Sequence, residues 1–239
     1  MIIKIAHLYP DLLNLYGDSG NVLCLQKRLM WRNIECKTDL LYADSYFDLN
    51  NYDIIFIGGG QDFEQRLVLK SLSKGVADNL HSAIENEVCV LAVCGGFQLL
   101  GKYYQTNKGD VLNFTGILDF YTVGKSKRLI GNYIFKTEEK IRIMGFENHS
   151  GRTYLSKNLK PLGKVLMGCG NNGKDGTEGV RYKNTFGTYC HGPILPKNSD
   201  FADLIIENAL LRKYGKAELS PIDNTLEIIA RKQVRDLYI

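Results

Sequence analysis

The chain has 239 residues, with 30 lysines and arginines against 26 aspartates and glutamates, for a formal charge of +4. That length suits one domain around one core, and the charges are scattered rather than gathered into a basic stripe with interleaved aromatics, which argues against a nucleic-acid-binding chain. No apolar run approaches the ~18 residues of a membrane span. The start, Met1 to Ala6, is too short and strand-like for a signal peptide, so the six cysteines are expected as reduced thiols in a cytosol.

Taken in chain order, the first half alternates. Ile2 to Leu8 reads as a strand, Asn21 to Arg32 as a helix, and Glu35 to Tyr42 as a strand. Asp53 to Ile57 is a strand whose Ile54 to Ile57 are all apolar and which ends in Gly58-Gly59-Gly60, and Asp62 to Asn86 is helical. Glycines after a strand permit close backbone approach, and such a loop can aim N–H donors at a developing oxyanion; read alone, it is equally a tight strand-to-helix turn.

Val88 to Val93 is the next apolar strand, followed at once by Cys94-Gly95-Gly96-Phe97-Gln98 and a helical pattern. A strand, a sharp turn and a helix with a thiol at the turn form the nucleophile-elbow layout, here with Ala92 where the common pattern has its first glycine. The helix N-terminus favours negative charge at that sulfur. The competing reading is a buried structural cysteine. Cys89 and Cys94 flank a strand and cannot easily share an ion, and no Cys-x-x-Cys or His-x-x-x-His pair exists, so no metal site is expected.

The second half is richer in short strands: Val111 to Phe120, Tyr133 to Thr137, Ile141 to Phe146, Gly163 to Gly168, Gly179 to Tyr182 and Thr185 to Tyr189. Helices follow at Asp200 to Tyr214 and Thr225 to Tyr238. The implied fold is α/β: a mostly parallel open sheet with helices on both faces and an antiparallel extension. Reactive groups of such folds sit at the carboxyl ends of strands, where both Gly58 to Gly60 and Cys94 fall. The run Gly168 to Asp175 nearly spells a phosphate-binding loop, but Asp175 replaces the magnesium-binding hydroxyl and no apolar helix follows, so it reads as a turn.

A thiol nucleophile needs an acid–base partner, and imidazole serves near neutral pH. Of the four histidines, His149 and His191 lie downstream of the elbow in glycine-flanked strand-end settings; His191 stands in Tyr189-Cys190-His191-Gly192-Pro193.

The order of the glycine loop, Val93-Cys94-Gly95-Gly96-Phe97-Gln98 and Tyr189-Cys190-His191-Gly192-Pro193 resembles a class I glutamine amidotransferase domain. The cobyric-acid-synthase-like branch fits best, and within it the glutaminase subunits of lipid II isoglutaminyl synthases. The likeness spans nearly the whole chain, residues 1–239 as one glutaminase domain, and includes Leu13 to Asn21, Gly116 to Tyr121, Gly145 to Thr153 and Gly187 to Pro196.

The resemblance implies hydrolysis of the glutamine side-chain amide, with Cys94 as nucleophile, His191 as acid–base group, Gly59, Gly60 and Gly95 around the oxyanion, and Arg128 and Gln98 at the substrate. Many class I domains carry an acid two residues after the histidine. Here that residue is Pro193, so the orienting carboxylate is expected from elsewhere, such as Glu147, or from a partner subunit. The resemblance further implies no cofactor in this chain, with ATP and magnesium on a Mur-ligase-like partner, MurT. The pair would form a cytoplasmic heterodimer that amidates the D-glutamate α-carboxyl of lipid II for peptidoglycan synthesis at the inner face of the membrane. The alternatives are a cobyrinate-type cofactor-pathway amidotransferase and a DJ-1-like cysteine hydrolase.

Overall fold

Strands β3 (Ile54–Ile57) and β4 (Cys89–Val93) are buried along their whole length, which only a sheet covered on both faces permits. The computed structural model describes residues 1–43 and 47–238. It opens with β1 (Ile2–Leu8), helix α1 (Ser19–Met30) and β2 (Glu35–Leu41), then β3. Helices α2 (Asp62–Ser71) and α3 (Ala77–Glu85) lead to β4, the short helix α4 (Gly95–Leu99), β5 (Tyr103–Gln105) and β6 (Val111–Asn113). Two long strands follow, β7 (Phe120–Thr137) and β8 (Arg142–Leu155), then β9 (Gly163–Met167), β10 (Thr177–Glu178), β11 (Val180–Tyr182) and β12 (Thr185–Thr188). The chain ends with α5 (Ile194–Lys197), α6 (Ser199–Tyr214) and α7 (Thr225–Tyr238).

One sheet runs β11-β12-β4-β3-β1-β2, parallel throughout except for β11 at its edge. This is a doubly wound order, whose reactive edge lies outside the carboxyl ends of the strands. The segments leaving β1, β3, β4 and β12 all emerge there. The antiparallel part of the expected fold is realised in two places. β11 extends the parallel sheet, and the remainder forms a second sheet, β10-β9-β7-β5-β6, with β8 paired along β7.

Four expected elements change, one of them the strand expected over Ile141 to Phe146, which runs on to Leu155 as β8. The helix expected over 62–86 is broken by a π-helical turn, Leu72–Val76, in which Gly75 takes φ +89 and ends the α-helical geometry. The strand expected over 111–120 keeps only Val111–Asn113, and the short β5 before it was not foreseen. The strand expected from Tyr133 is the last part of an eighteen-residue β7. Its ladder with β8 breaks between Gly124 and Leu129, so residues 125–128 bulge from the sheet.

One apolar cluster fills the space between sheet and helices, from Ile3 and Ile5 on β1 to Ile205, Ala209 and Leu210 on α6. α1 is tied to α6 by the buried Arg28, whose Nε and Nη2 each donate to Asp203 at 2.7 Å. Among the described residues no helix is long and apolar enough to cross a membrane.

Candidate active site

Cys94 leaves β4 with φ 48 and ψ −104, a conformation that costs a non-glycine residue on the order of 1–3 kcal/mol. The surroundings hold it there. Cys94 N donates to Thr188 O at 2.7 Å, and Cys94 O accepts from Gln98 N at 3.0 Å as α4 begins. The two glycines that follow are needed for close approach. A Cβ on Gly95 would lie 2.5 Å from Gly60 O, and one on Gly96 would lie 2.6 Å from Gly58 O. The expected elbow is therefore present, and it is packed against the glycine loop after β3.

Around the sulfur stand Asp18, from the segment after β1, and His191, from the segment after β12. Both are fully buried. Asp18 Oδ1 lies 3.6 Å from His191 Nδ1, and Asp18 Oδ2 accepts the Gly59 N–H at 2.7 Å. An ideal Cβ on Gly59 would sit 3.0 Å from His191 Cε1, 3.1 Å from Asp18 Oδ2 and 3.4 Å from Cys94 Cβ, so the three side chains surround one point that only a glycine leaves open. Tyr16 covers the imidazole edge-on, with ring centroids 4.9 Å apart.

Two expectations change here. Of this chain's carboxylates it is Asp18, not Glu147, that stands beside His191. Glu147 accepts the N–H groups of Cys169 and Gly170 and lies 3.5 Å from His149 Nε2. The Gly59 N–H is committed to Asp18, so of the three expected oxyanion donors it is the one already in use. Gly60 and Gly95 meet backbone to backbone beside Cys94, since a Cβ on Gly95 would lie 2.7 Å from Gly60 N.

Burial alone would strip His191 of its proton. The negative charge of a Cys94 thiolate and of Asp18 outweighs that, raising the imidazole to about 10. His191 is thus flanked by the Cys94 side chain on one side and by Asp18 at Nδ1. His149 differs: burial, the largest influence, lowers it, and its ring stacks on Tyr189 with centroids 3.7 Å apart. Of the two candidate histidines, only His191 faces the thiol.

A cavity of about 480 Å³ opens onto Cys94. That volume suits a small polar metabolite. Its walls include Gln98, Lys125, Arg128 and Asn148. The bulge of β7 carries Lys125 and Arg128 out to the cavity. Arg128 Nε donates to Asn148 Oδ1 at 2.7 Å and its Nη2 to Asn148 O at 2.8 Å. Asn148 in turn donates to Tyr16 Oη at 2.5 Å, linking the cavity wall to the ring over His191. Gln98 accepts from Gln65 Nε2 at 2.7 Å and donates to Tyr189 Oη at 3.0 Å, so both ends of its amide are held. The structure therefore gathers Cys94, His191, Gly60, Gly95, Arg128 and Gln98 at one site.

Sequence reasoning missed Asp18, Tyr16, Gln65 and Asn148. Asp18 and Tyr16 fall inside the Leu13 to Asn21 segment already singled out, and a carboxylate just past the first strand's end was a usable signal. The phosphate-loop look-alike is a turn between β9 and β10, as expected. Asn172 Oδ1 accepts from Lys174 N and Asp175 N, and Asp175 Oδ1 accepts from Thr177 N. Two of its N–H groups are taken by Glu147. Among the described residues no group of three or more His, Cys, Asp or Glu is placed to hold a metal ion.

Residues 4–199 match the CobB/CobQ-like glutamine amidotransferase domain, and the chain belongs to that family. It is 44% identical over 234 residues to a Staphylococcus aureus protein named lipid II isoglutaminyl synthase (glutamine-hydrolyzing) subunit GatD, covering 98% of this chain and 95% of that one. A Streptococcus pneumoniae protein of the same name is also 44% identical, over 90% of this chain and 83% of its own. A probable cobyric acid synthase of Methanothermobacter thermautotrophicus is 33% identical over 60% of this chain, which spans 31% of that longer protein. Among solved structures, a Thermotoga maritima glutamine amidotransferase superposes with a TM-score of 0.56 at 16% identity, over 98% of this chain and 92% of its own. The glutaminase domain of a Trypanosoma brucei CTPS gives 0.58 at 12% identity, over 91% and 98%; both show the shared fold.

Proposed function

We propose that this chain is the glutamine-hydrolysing subunit of a lipid II isoglutaminyl synthase. The observation that carries the chemistry is the buried Cys94–His191–Asp18 cluster at the mouth of a cavity lined by Arg128. The observation that carries the pathway is 44% identity along nearly the full length of two relatives of that name.

Arg128 receives the α-carboxylate of glutamine, for which a planar guanidinium is suited. The Cys94 thiolate attacks the side-chain carbonyl carbon, and the carbonyl oxygen takes the negative charge under the N–H groups of Gly95 and Gly60. One such donor is worth about 3 kcal/mol of transition-state stabilisation. His191, as imidazolium, gives its proton to the departing nitrogen, so the C–N bond breaks and ammonia leaves. A γ-glutamyl thioester remains on Cys94. Neutral His191 then takes a proton from water as its oxygen attacks the thioester. Glutamate is released and the thiolate–imidazolium pair is restored. Asp18 holds the imidazole's orientation and its charge.

The ammonia serves a second subunit, a Mur-ligase-like MurT, which binds ATP and magnesium and activates the D-glutamate α-carboxyl of lipid II. The two form a heterodimer in the cytoplasm, and the cofactors reside on the ligase. Glutamine hydrolysis and ATP-dependent amidation of lipid II are measured for this chain alone, for its ligase partner alone and for the two together. Glutaminase activity must vanish in Cys94→Ala, and amidation must need both chains. Ammonia release by Cys94→Ala at the normal rate, or ATP-dependent amidation by the lone chain, overturns the reading.

A further inference from the structure

Between the end of β12 and His191 the chain changes partners. Thr188 still lies on the parallel sheet, where its carbonyl accepts from Cys94 N at 2.7 Å. His191 already belongs to the second sheet: its N–H donates to Phe146 O at 2.7 Å, and its carbonyl accepts from Phe146 N at 3.1 Å. Tyr189 and Cys190 form the corner between, and neither has a ladder partner for its N–H.

Glu178 supplies one directly and the other through the Thr188 hydroxyl. Its Oε1 accepts the Tyr189 N–H at 2.8 Å and the Thr188 hydroxyl at 2.5 Å. That hydroxyl accepts the Cys190 N–H at 2.9 Å. The other oxygen, Oε2, accepts from Tyr133 Oη at 2.6 Å. The carboxyl group thus takes the Tyr189 N–H directly and holds the Thr188 hydroxyl that takes the Cys190 N–H.

The arrangement is costly. Glu178 is fully buried, and the ionisable groups facing it are Tyr133 on β7, Glu147 on β8 and Cys190 in the corner itself, none of them a cation. Burial pushes the carboxyl up to about 7 despite the hydrogen bonds from Thr188, Tyr133 and Tyr189 N. A buried carboxyl without a cation is a poor way to stabilise a fold, whereas two convergent acceptor sites on one rigid group are a good way to fix a backbone corner.

We infer that Glu178 is a positioning residue for His191: its hydrogen bonds to the 188–190 corner set where the imidazole stands relative to Cys94. The inference rests on His191 being the acid–base group. The Tyr189 side chain is clamped independently, by Thr153 Oγ1 at 2.6 Å, Gln98 Nε2 at 3.0 Å and the His149 ring. Loss of the Glu178 contacts therefore displaces the imidazole more than the cavity wall, and the rate suffers more than substrate capture.

The test compares four variants of the full chain, alone and with its ligase subunit. Each rate is expressed per active site titrated with a glutamine-mimicking electrophile, which removes any misfolded fraction. Glu178→Gln keeps an acceptor oxygen for the corner and an N–H₂ for Tyr133 Oη, and retains kcat within about threefold. Glu178→Leu removes the acceptors and lowers kcat about tenfold or more with KM changed less than about twofold, since small displacements of reacting groups are costly. Thr188→Val, which orphans the Cys190 N–H and takes one donor from Glu178 Oε1, lowers kcat at least about threefold and carries the test if Glu178→Leu does not fold. Tyr133→Phe, acting on the other oxygen, leaves kcat within about twofold even where the melting temperature falls.

Wild-type kcat in Thr188→Val and in any folded Glu178→Leu overturns the inference. So does an equal loss in Tyr133→Phe, which would mark the network as merely structural. A His191→Ala variant that hydrolyses glutamine normally would instead sink the acid–base assignment beneath it.

Discussion

Asp18 faces His191 Nδ1 at 3.6 Å with one carboxylate oxygen while the other holds the Gly59 N–H at 2.7 Å. One side chain thereby locks the imidazole to the glycine loop beside the thiol. Asp18→Asn can keep the Gly59 contact only by presenting an amide N–H₂ or nothing useful to the ring. The expected result is a loss of about 100-fold or more in kcat, with a melting temperature close to wild type. Steady-state ammonia release and a thermal scan check it. A kcat within twofold of wild type would remove Asp18 from the mechanism.

Gly59→Ala tests the same corner sterically. Gly59 is not among the glycines at positive φ, so the backbone tolerates alanine. Its methyl group, however, would press on His191, Asp18 and Cys94 together. The expected outcome is a drop in kcat of about tenfold or more with little change in folding. Full activity would mean that the three side chains have slack to spare.

Arg128 is exposed on the bulge, so removing it should cost the fold almost nothing. Arg128→Ala is expected to raise KM for glutamine about tenfold or more while kcat changes far less. Arg128→Lys should recover only part of the loss, since an ammonium lacks the planar fork. Glutamine saturation curves decide. An unchanged KM in both variants would leave the arginine as plain surface.

The raised His191 value, about 10 against an ordinary 6.5, gives a prediction with a definite sign. A base whose folded pKa is raised contributes stability that is complete below 6.5 and is lost as pH rises through about 10. Of the groups that raise the ring, Cys94 contributes most, ahead of Asp18. In Cys94→Ala the largest favourable contribution disappears, so the imidazole should titrate at distinctly lower pH, read by NMR of the ring protons. Identical titration in the two proteins would show that the thiolate is not what holds the proton. His149→Ala, which removes a ring that faces Glu147 and Tyr189, should slow the reaction much less than His191→Ala.

The parallel sheet was legible because β3 and β4 are unbroken apolar runs, and Cys94 because glycines follow it directly at a strand's end. His191 was legible by its glycine-flanked strand end. Asp18 was not, because just before Ser19 it reads as an ordinary helix cap; in the fold its side chain makes no cap bond and turns to Gly59 and His191 instead. Its place between the first strand and the first helix marks it as a candidate but does not say which of those two fates it takes. The Gly59 donor was misread for the same reason, since a glycine loop announces that N–H groups are available but not which are already taken. Lys125-Ser126-Lys127-Arg128 lacks apolar alternation and reads as a turn, whereas it is a bulge within one long strand, whose continuity is set by its partner β8.

That bulge also has an evolutionary side. Residues 125–128 sit outside the ladder that registers β7 against β8, so replacing them leaves the strand pairing on either side intact. Bond breaking is carried by segments whose geometry is fixed by the parallel sheet, while the guanidinium at the cavity hangs from a stretch the fold does not depend on. A lineage could therefore retune which small molecule it accepts by point changes in four neighbouring residues, without first acquiring the stability reserve that altering Cys94, Asp18 or His191 would demand.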